Sequence, residues 1–332
     1  MAFACAGLIN SGSVLAQDCR LKLKTSVSLI MSGDSRRAFV PVSIQGVPKV
    51  LLLDTGGAVE EITPKVADEL HLPRMMSNIT LYDVAAQTSS DMVHVEMLLG
   101  SLKAPAVAMV VGNGLDGFSN RPDFAGILAP DILQAYDVDL DFGTGKLSLF
   151  SQDHCPGGVI YWPTTAVAVV PMKSLSDGHI VVSVTLDGHP VDALLDTGAW
   201  GTTLADRDAT QTFGLTLGSA DTPAAGSFQD GSGRPLYRHT FASLAFEGIA
   251  VAHPQVEIIP DSMRKRFETK SEVVTGSNLT GKPDAGMATS MLVGMNILRH
   301  FHIYIAYKER KVYITPVSAP AAAIAPEAAA PH

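Results

Sequence analysis

"ALLDTGAWGTTL", from Ala193 to Leu204, and "VLLLDTGGAVEEI", from Val50 to Ile62, place the same Asp-Thr-Gly turn at the end of an apolar run, 142 residues apart. One such turn is an ordinary strand-to-loop junction, because Asp and Gly are common turn residues. Two in matching surroundings are a different matter. "VPVSIQGVPKVLLLDTGG" (Val40–Gly57) and "IVVSVTLDGHPVDALLDTGA" (Ile180–Ala199) both read as a strand, a Gly-containing turn and a second strand that closes on the aspartate. Alternating Val182, Val184 and Leu186 support the strand assignment. After the first turn, Thr63 and Pro64 supply an N-cap and a first-position proline for a short helix over "KVADEL". The equivalent "LADRDATQTFGL" predicts a weaker helix.

The far ends of the two copies correspond more closely. "AGILAPDILQAYDVDLDFGTGKLSLF" (Ala125–Phe150) aligns without a gap to "SMLVGMNILRHFHIYIAYKERKVYIT" (Ser290–Thr315). Ile132, Leu133 and Tyr136 then match Ile297, Leu298 and Phe301, the spacing of one helical turn with a buried face. A tight hairpin follows in each. The chain therefore divides into a lobe over 22–152, a linker over 153–164 and a second lobe over 165–316. The polar stretch "SMRKRFETKSEVVTGSNLTGKPDAGMAT" is expected to be a mobile surface loop, and the Ala/Pro tract of 317–332 a disordered tail.

Of the 332 residues, 46% are hydrophobic, enough for a sizeable core. A net charge of −9 without a basic cluster disfavours nucleic acid as a partner. No apolar run reaches the length of a membrane-spanning helix. Residues 1–16 are uncharged and end in Val14-Leu15-Ala16, a small-residue cleavage pattern, so they read as the remnant of a signal peptide or as a frayed terminus. The expectation is export, to a bacterial periplasm or outside the cell. Of three cysteines, Cys5 would leave with the signal. Cys19 and Cys155 then flank the first lobe, either as a disulfide or as two unrelated thiols.

With these motifs in view, the chain resembles the aspartic peptidases, and its helix "MNILRHF" with the following strands resembles their retropepsin-like branch. The resemblance covers most of residues 40–315. It implies a mainly β fold of two homologous aspartic-protease-like β-barrel lobes with short helices, an active-site cleft between the lobes, and both halves of the site in one chain, as in the pepsin-like arrangement. It implies that Asp54 and Asp196 are catalytic, one activating a water and the other hydrogen-bonding the scissile carbonyl of a peptide or protein substrate. Thr55 and Thr197 would bond across the lobe interface. Gly56 and Gly198 would let the backbone come close. Hairpins near Tyr82–Asp91 and Ser227–Arg234 would act as flaps, with Tyr82 and Phe228 touching substrate. Neither a metal nor a cofactor is implied, and a monomer can be self-sufficient.

Two departures from the family pattern carry expectations. Gly294 fits the usual glycine of the second motif, whereas Ala129 stands at the aligned place in the first lobe, where its methyl is expected to crowd the backbone behind Asp54. A chain impaired in catalysis that only holds peptides is the alternative function. Gly57 and Ala199 occupy positions where a hydroxyl is common, so the dyad should keep its shared proton to higher pH than in an acid-adapted enzyme. Other signals lead nowhere. "GNGLDG" (Gly112–Gly117) is not followed by a helix that would hold a dinucleotide, and His300 and His302 have no zinc-ligand pattern around them.

Overall fold

The computed structural model describes residues 19–317, except 35, 58, 83–87, 113–114, 116–118, 175–177, 228–232, 261–272, 276–278 and 282–288; the side chains of 77–82, 88–90, 174, 273–275 and 279–281 are also outside the description. The expected signal remnant, the C-terminal tail beyond 317, most of the polar loop after Ser262, much of "GNGLDG", Phe228 and the Tyr82 side chain therefore lie outside the described residues.

Each barrel begins with a two-residue hairpin. Gln45 and Gly46 have φ of 51° and 79°, and Asp187 and Gly188 have 43° and 81°. Two consecutive left-handed residues match the right-handed twist of the strands they join. In the first lobe the strand Ala38–Ile44 pairs through this turn with Val47–Leu53. Val47–Leu53 runs parallel to Phe124–Leu128, which is antiparallel to Glu61–Ile62. Glu61–Ile62 runs parallel to Leu102–Val111, which forms a long hairpin with Thr88–Leu99. Thr88–Leu99 returns to Ala38–Ile44 through Ser43 and Leu98, closing a six-strand barrel. Closure leaves no unpaired edge around the ring.

The second lobe repeats the order. Ile180–Leu186 pairs with His189–Leu195, which runs parallel to Met291–Val293, and that strand is antiparallel to Thr203–Ala205. Thr203–Ala205 runs parallel to Gln255–Ile259. The long hairpin of the first lobe is here broken in two. Pro235–Thr240 pairs with Gln255–Ile259, and Ser243–Phe246 pairs with Ile249–Ala252 and with Ile180–Leu186. The break falls at His253, with φ of 51°, and at Pro254, which has no N–H to give to the ladder.

Among the described residues, four short helices complete the lobes: α1 (Pro64–Glu69), α2 (Pro130–Leu133), α3 (Asp206–Gln211) and α4 (Met295–Leu298). Thr63 caps α1 as its sequence predicts, its Oγ1 accepting the Val66 N–H at 3.2 Å, whereas α3 has no side-chain cap. Helices α2 and α4 occupy aligned positions. Each is a single turn, so Phe301 already belongs to the following strand.

A six-stranded sheet joins the lobes in the order Leu23–Ser28, Lys146–Phe150, Asp137–Asp141, Phe301–Ala306, Lys311–Pro316, Ala168–Ser174. One face of it, covered by the linker, sets buried polar groups among aromatic side chains. Asp137 and Asp139, two residues apart and so on the same face, bond His154 Nε2 and His302 Nε2, each at 2.5 Å. Tyr161 donates to Asp139, Trp162 stacks on the His302 ring with centroids 3.8 Å apart, and the Trp162 indole N–H donates to Thr315 at 3.0 Å. The linker is thus clamped to the sheet, and the disulfide Cys19–Cys155 fixes its start to the chain leading into the first strand. Among the described residues no helix is long and apolar enough to cross a membrane.

Two outcomes follow for stability. Cys19→Ser with Cys155→Ser should lower the free energy of unfolding by about 2–5 kcal/mol in denaturant melts, because the bond closes a 136-residue separation. Burial works against the charged form of His154, but the Cys155 carbonyl, Asp137 and Glu309 together hold its pKa above the ordinary histidine value. A raised histidine stabilises fully below its unfolded value and loses that contribution as pH rises through its folded one. The stability advantage of wild type over His154→Gln should therefore shrink from mildly acidic to alkaline pH.

Candidate active site

Both Asp-Thr-Gly turns leave their strands by the same bond. Asp54 N–H donates to the Leu128 carbonyl and Asp196 N–H to the Val293 carbonyl, each at 3.0 Å. The turns then lock into one another. Thr55 Oγ1 donates to the Leu195 carbonyl at 2.7 Å and accepts the Thr197 N–H at 3.1 Å. Thr197 Oγ1 donates to the Leu53 carbonyl at 2.8 Å and accepts the Thr55 N–H at 3.1 Å. Each threonine is 1% exposed. All four groups are buried and each is satisfied only by the other lobe, so the interlock fixes the separation of the two strand ends.

The interlock brings the two carboxyl groups within hydrogen-bonding reach of each other. The glycines make the approach possible. A Cβ on Gly56 would lie 2.4 Å from Asp196 Cγ, and one on Gly198 would lie 2.3 Å from Asp54 Cγ. Each carboxyl occupies the space that a side chain on the opposite glycine would need.

The carboxyl environments differ. Asp54 Oδ1 accepts the Gly56 N–H at 3.0 Å. Asp196 Oδ1 accepts two, from Gly198 at 2.8 Å and Ala199 at 3.1 Å. Burial, then the neighbouring Asp196 carboxyl, push the Asp54 pKa well above the usual carboxylate range, with only the Gly56 N–H opposing strongly. Burial also raises Asp196, but the bond from Asp54, the Ala199 and Gly198 N–H groups and the nearby His179 offset it. Two donors against one favour the charge on Asp196 and the proton on Asp54.

At Ala129, expected to crowd the backbone behind Asp54, the two lobes differ. In the second lobe a Cβ at Gly294 would meet the Gly201 carbonyl at 2.5 Å, because Met295 N–H and Asn296 N–H hold the Ala199 and Trp200 carbonyls close, both at 2.8 Å. In the first lobe Pro130 stands where Met295 does and has no N–H to draw the loop in. The Ala129 methyl instead packs in a small cluster with Phe39, Val50, Leu52 and Phe124.

The proposed flap hairpins are present as strand pairs. Met75–Tyr82 pairs with Thr88–Leu99, and Ala224–Ser227 with Pro235–Thr240. Their tips, Phe228 and the Tyr82 side chain lie outside the described residues. Three residues near the dyad carry no motif of their own. His179, 2% exposed, lies with Nε2 3.1 Å from the Gly56 carbonyl and so bridges the lobes. Trp200 sits under two guanidinium groups, Arg36 at 4.9 Å and Arg299 at 5.0 Å. Glu60, 1% exposed, accepts the Ala129 N–H on Oε1 at 2.8 Å. Superposing the two copies on their aspartates pairs Glu60 with Thr202, the one signal in the sequence that marks it.

Removing one hydroxyl of the interlock leaves a buried N–H and a buried carbonyl without partners. Thr55→Ala and Thr197→Ala should each lower unfolding stability by about 1–3 kcal/mol, while Thr→Ser at either position should restore most of it. Chemical denaturation of the four variants checks this.

Residues 182–297 match the aspartyl protease family, so the match reaches the second lobe, including Asp196. No curated protein matches the chain. Among solved structures, the chain is similar to a retropepsin-like aspartic protease from Rickettsia conorii, at 16% identity and a TM-score of 0.31 over 47% of this chain and 97% of that one. It is also similar to basic 7S globulin from soybean, at 10% identity and a TM-score of 0.47 over 90% of this chain and 96% of that one. The fold is mainly β, and residues 182–297 of its second lobe match the aspartyl protease family.

Proposed function

We propose that this protein is an aspartic endopeptidase of the retropepsin-like kind, with both halves of its site in one chain and with Asp54 and Asp196 as its catalytic residues. The observation that carries the reading is the reciprocal Thr55–Thr197 interlock, which faces two buried carboxyl groups towards each other across the lobe boundary. A buried acid pair at that distance is costly for any purpose other than sharing a proton.

In this reading Asp196, with its two backbone donors, is the ionised member, and Asp54 carries the proton. Asp196 takes a proton from a bound water as the water oxygen attacks the scissile carbonyl carbon. Asp54 gives its proton to the carbonyl oxygen. The tetrahedral intermediate collapses as Asp196 gives the leaving nitrogen the proton it took from water, a hydroxyl proton of the intermediate returns to Asp54, and the C–N bond breaks. No covalent enzyme intermediate forms. The hairpins ending at Tyr82 and Ser227 would close over the peptide. Export to an oxidising compartment fits the Cys19–Cys155 bond. A peptide-holding role without hydrolysis is the competing reading, and intact Asp54 and Asp196 with both glycines weigh against it.

Asp54→Asn and Asp196→Asn should each abolish cleavage of a peptide library while leaving thermal unfolding cooperative. Near-wild-type turnover in either variant refutes a shared site. Activity needs one proton on the pair, so the rate profile should be bell-shaped. Both carboxyl groups are raised, which places the basic limb above the ordinary carboxylate range, towards weakly acidic or near-neutral pH. Ala199→Ser adds a donor to the ionised Asp196 and should move that limb to lower pH.

A further inference from the structure

The peptide group between Leu128 and Ala129 is held on both sides. Its carbonyl accepts the Asp54 N–H, and its N–H donates to Glu60 Oε1 at 2.8 Å. The same peptide in the second lobe, Val293–Gly294, accepts the Asp196 N–H and donates to Thr202 Oγ1 at 3.1 Å. The backbone around the two side chains also matches. The Glu60 carbonyl accepts the Val110 N–H and the Thr202 carbonyl accepts the Glu257 N–H, both at 2.9 Å. What differs is the next link. Thr202 Oγ1 donates onward to Asn296 Oδ1 at 2.7 Å, and Asn296 Nδ2 donates to the Gln255 carbonyl at 3.1 Å. In the first lobe the aligned residue is Asp131, on α2.

The first lobe thus has two acids where the second has a hydroxyl and an amide. Thr202 can accept from the peptide and still donate onward. An ionised Glu60 cannot donate at all. Its Oε2 is buried without a hydrogen-bond partner, while the Asp131 carboxyl lies within side-chain bonding reach. A proton on Oε2 resolves both the orphaned oxygen and the repulsion. Burial raises both carboxyl groups, but Glu60 is 1% exposed and raised well above its usual value, whereas Asp131 is an exposed residue of α2 whose rise is opposed by N–H donors, so the proton belongs on Glu60.

We propose that Glu60 and Asp131 share a single proton and form a positioning pair for Asp54: protonated Glu60 takes the Ala129 N–H on one oxygen and donates to Asp131 from the other, which fixes the peptide on which Asp54 hangs. As a role in catalysis this rests on the peptidase reading above; as a statement about a proton it does not. The charged groups acting on Glu60 are Asp131 from α2 and Asp54 from the catalytic turn, both acids. Glu61, on the following strand, acts on Asp54. The second lobe packs on α2 through Gly178, where a Cβ would lie 3.0 Å from Pro130 Cβ, and presents His179 towards Gly56. Burial and Asp131 push the Glu60 pKa well above its usual value, which agrees with the geometry.

The sign is fixed by linkage. The folded state holds this proton to higher pH than the unfolded chain does, so its contribution is complete below the ordinary glutamate value of 4.5 and declines as pH rises towards the folded value. Above that, two carboxylates face each other, α2 is pushed outwards and the Leu128–Ala129 peptide loses its hold.

Glu60→Gln is the permanent mimic of the protonated form, since its amide accepts from Ala129 and donates to Asp131 at any pH. Thermal unfolding of wild type and Glu60→Gln should give similar midpoints near pH 4.5 and a lead for the variant that grows to roughly 3–6 °C near pH 7. Parallel curves, or a variant weaker at every pH, would overturn the shared proton. In peptide hydrolysis the basic limb should extend to higher pH in Glu60→Gln, whereas loss of the Glu60 charge acting on Asp54 would by itself move that limb to lower pH. An unmoved limb, with the melts shifted as expected, would overturn the positioning role. If no variant and no wild type cleaves peptide, the peptidase reading fails while the melts still decide the proton.

Discussion

Two threonine hydroxyls hold the lobes in register. Thr55 and Thr197 each accept the other's N–H and each donate to the carbonyl of the residue before the other's aspartate. Every group involved is buried, so the lobes cannot slide without leaving polar atoms unsatisfied, at about 1–3 kcal/mol each. The position of each carboxyl follows from this interlock, and so does the need for glycine opposite it. The rest of the molecule keeps the two turns where they can meet. The second strand of each barrel ends in one of the turns, six strands between the barrels tie them together, and a linker clamped by His154 and Trp162 covers those strands.

The two lobes solve the same problem with unequal chemistry. Around Asp196, the Met295 and Asn296 N–H groups pull the loop tight against Gly294, Ala199 adds a second donor, and Thr202 with Asn296 closes the support with neutral groups. Around Asp54, Pro130 removes a backbone donor, Ala129 fills the slack, and two acids replace the neutral pair. The extra donor on Asp196 and the burial around Asp54 point the same way. The second lobe stabilises negative charge on its aspartate, and the first lobe surrounds its aspartate with groups that oppose ionisation. An intramolecular pair can hold such an asymmetry permanently, which a site made from two identical subunits cannot.

The barrel strands, the helices after them and the aspartate turns were legible in the sequence, because each rests on local pattern: β-branched alternation, Thr63-Pro64 at a helix start, and a gapless match between Ala125–Phe150 and Ser290–Thr315. The consequence of Ala129 was not legible. It depends on Pro130 lacking an N–H, an effect visible only when the opposing carbonyls are placed. The buried polar groups under the linker were equally hidden, since Asp137, Asp139, His154 and His302 come from separate segments whose pairing is set by strand register. Glu60 carries no motif of its own, and its burial at 1% exposure shows only in the structure.

The central claim is that Asp54 and Asp196 make one site per chain with one proton between them. Calorimetric titration with a statine-bearing peptide, whose hydroxyl imitates the tetrahedral intermediate, tests it most directly. The account predicts one peptide bound per chain, with affinity that weakens as the shared proton is lost at higher pH. A stoichiometry of one per two chains, or an affinity that does not change across the pH range in which the folded protein titrates its carboxyl groups, would contradict it.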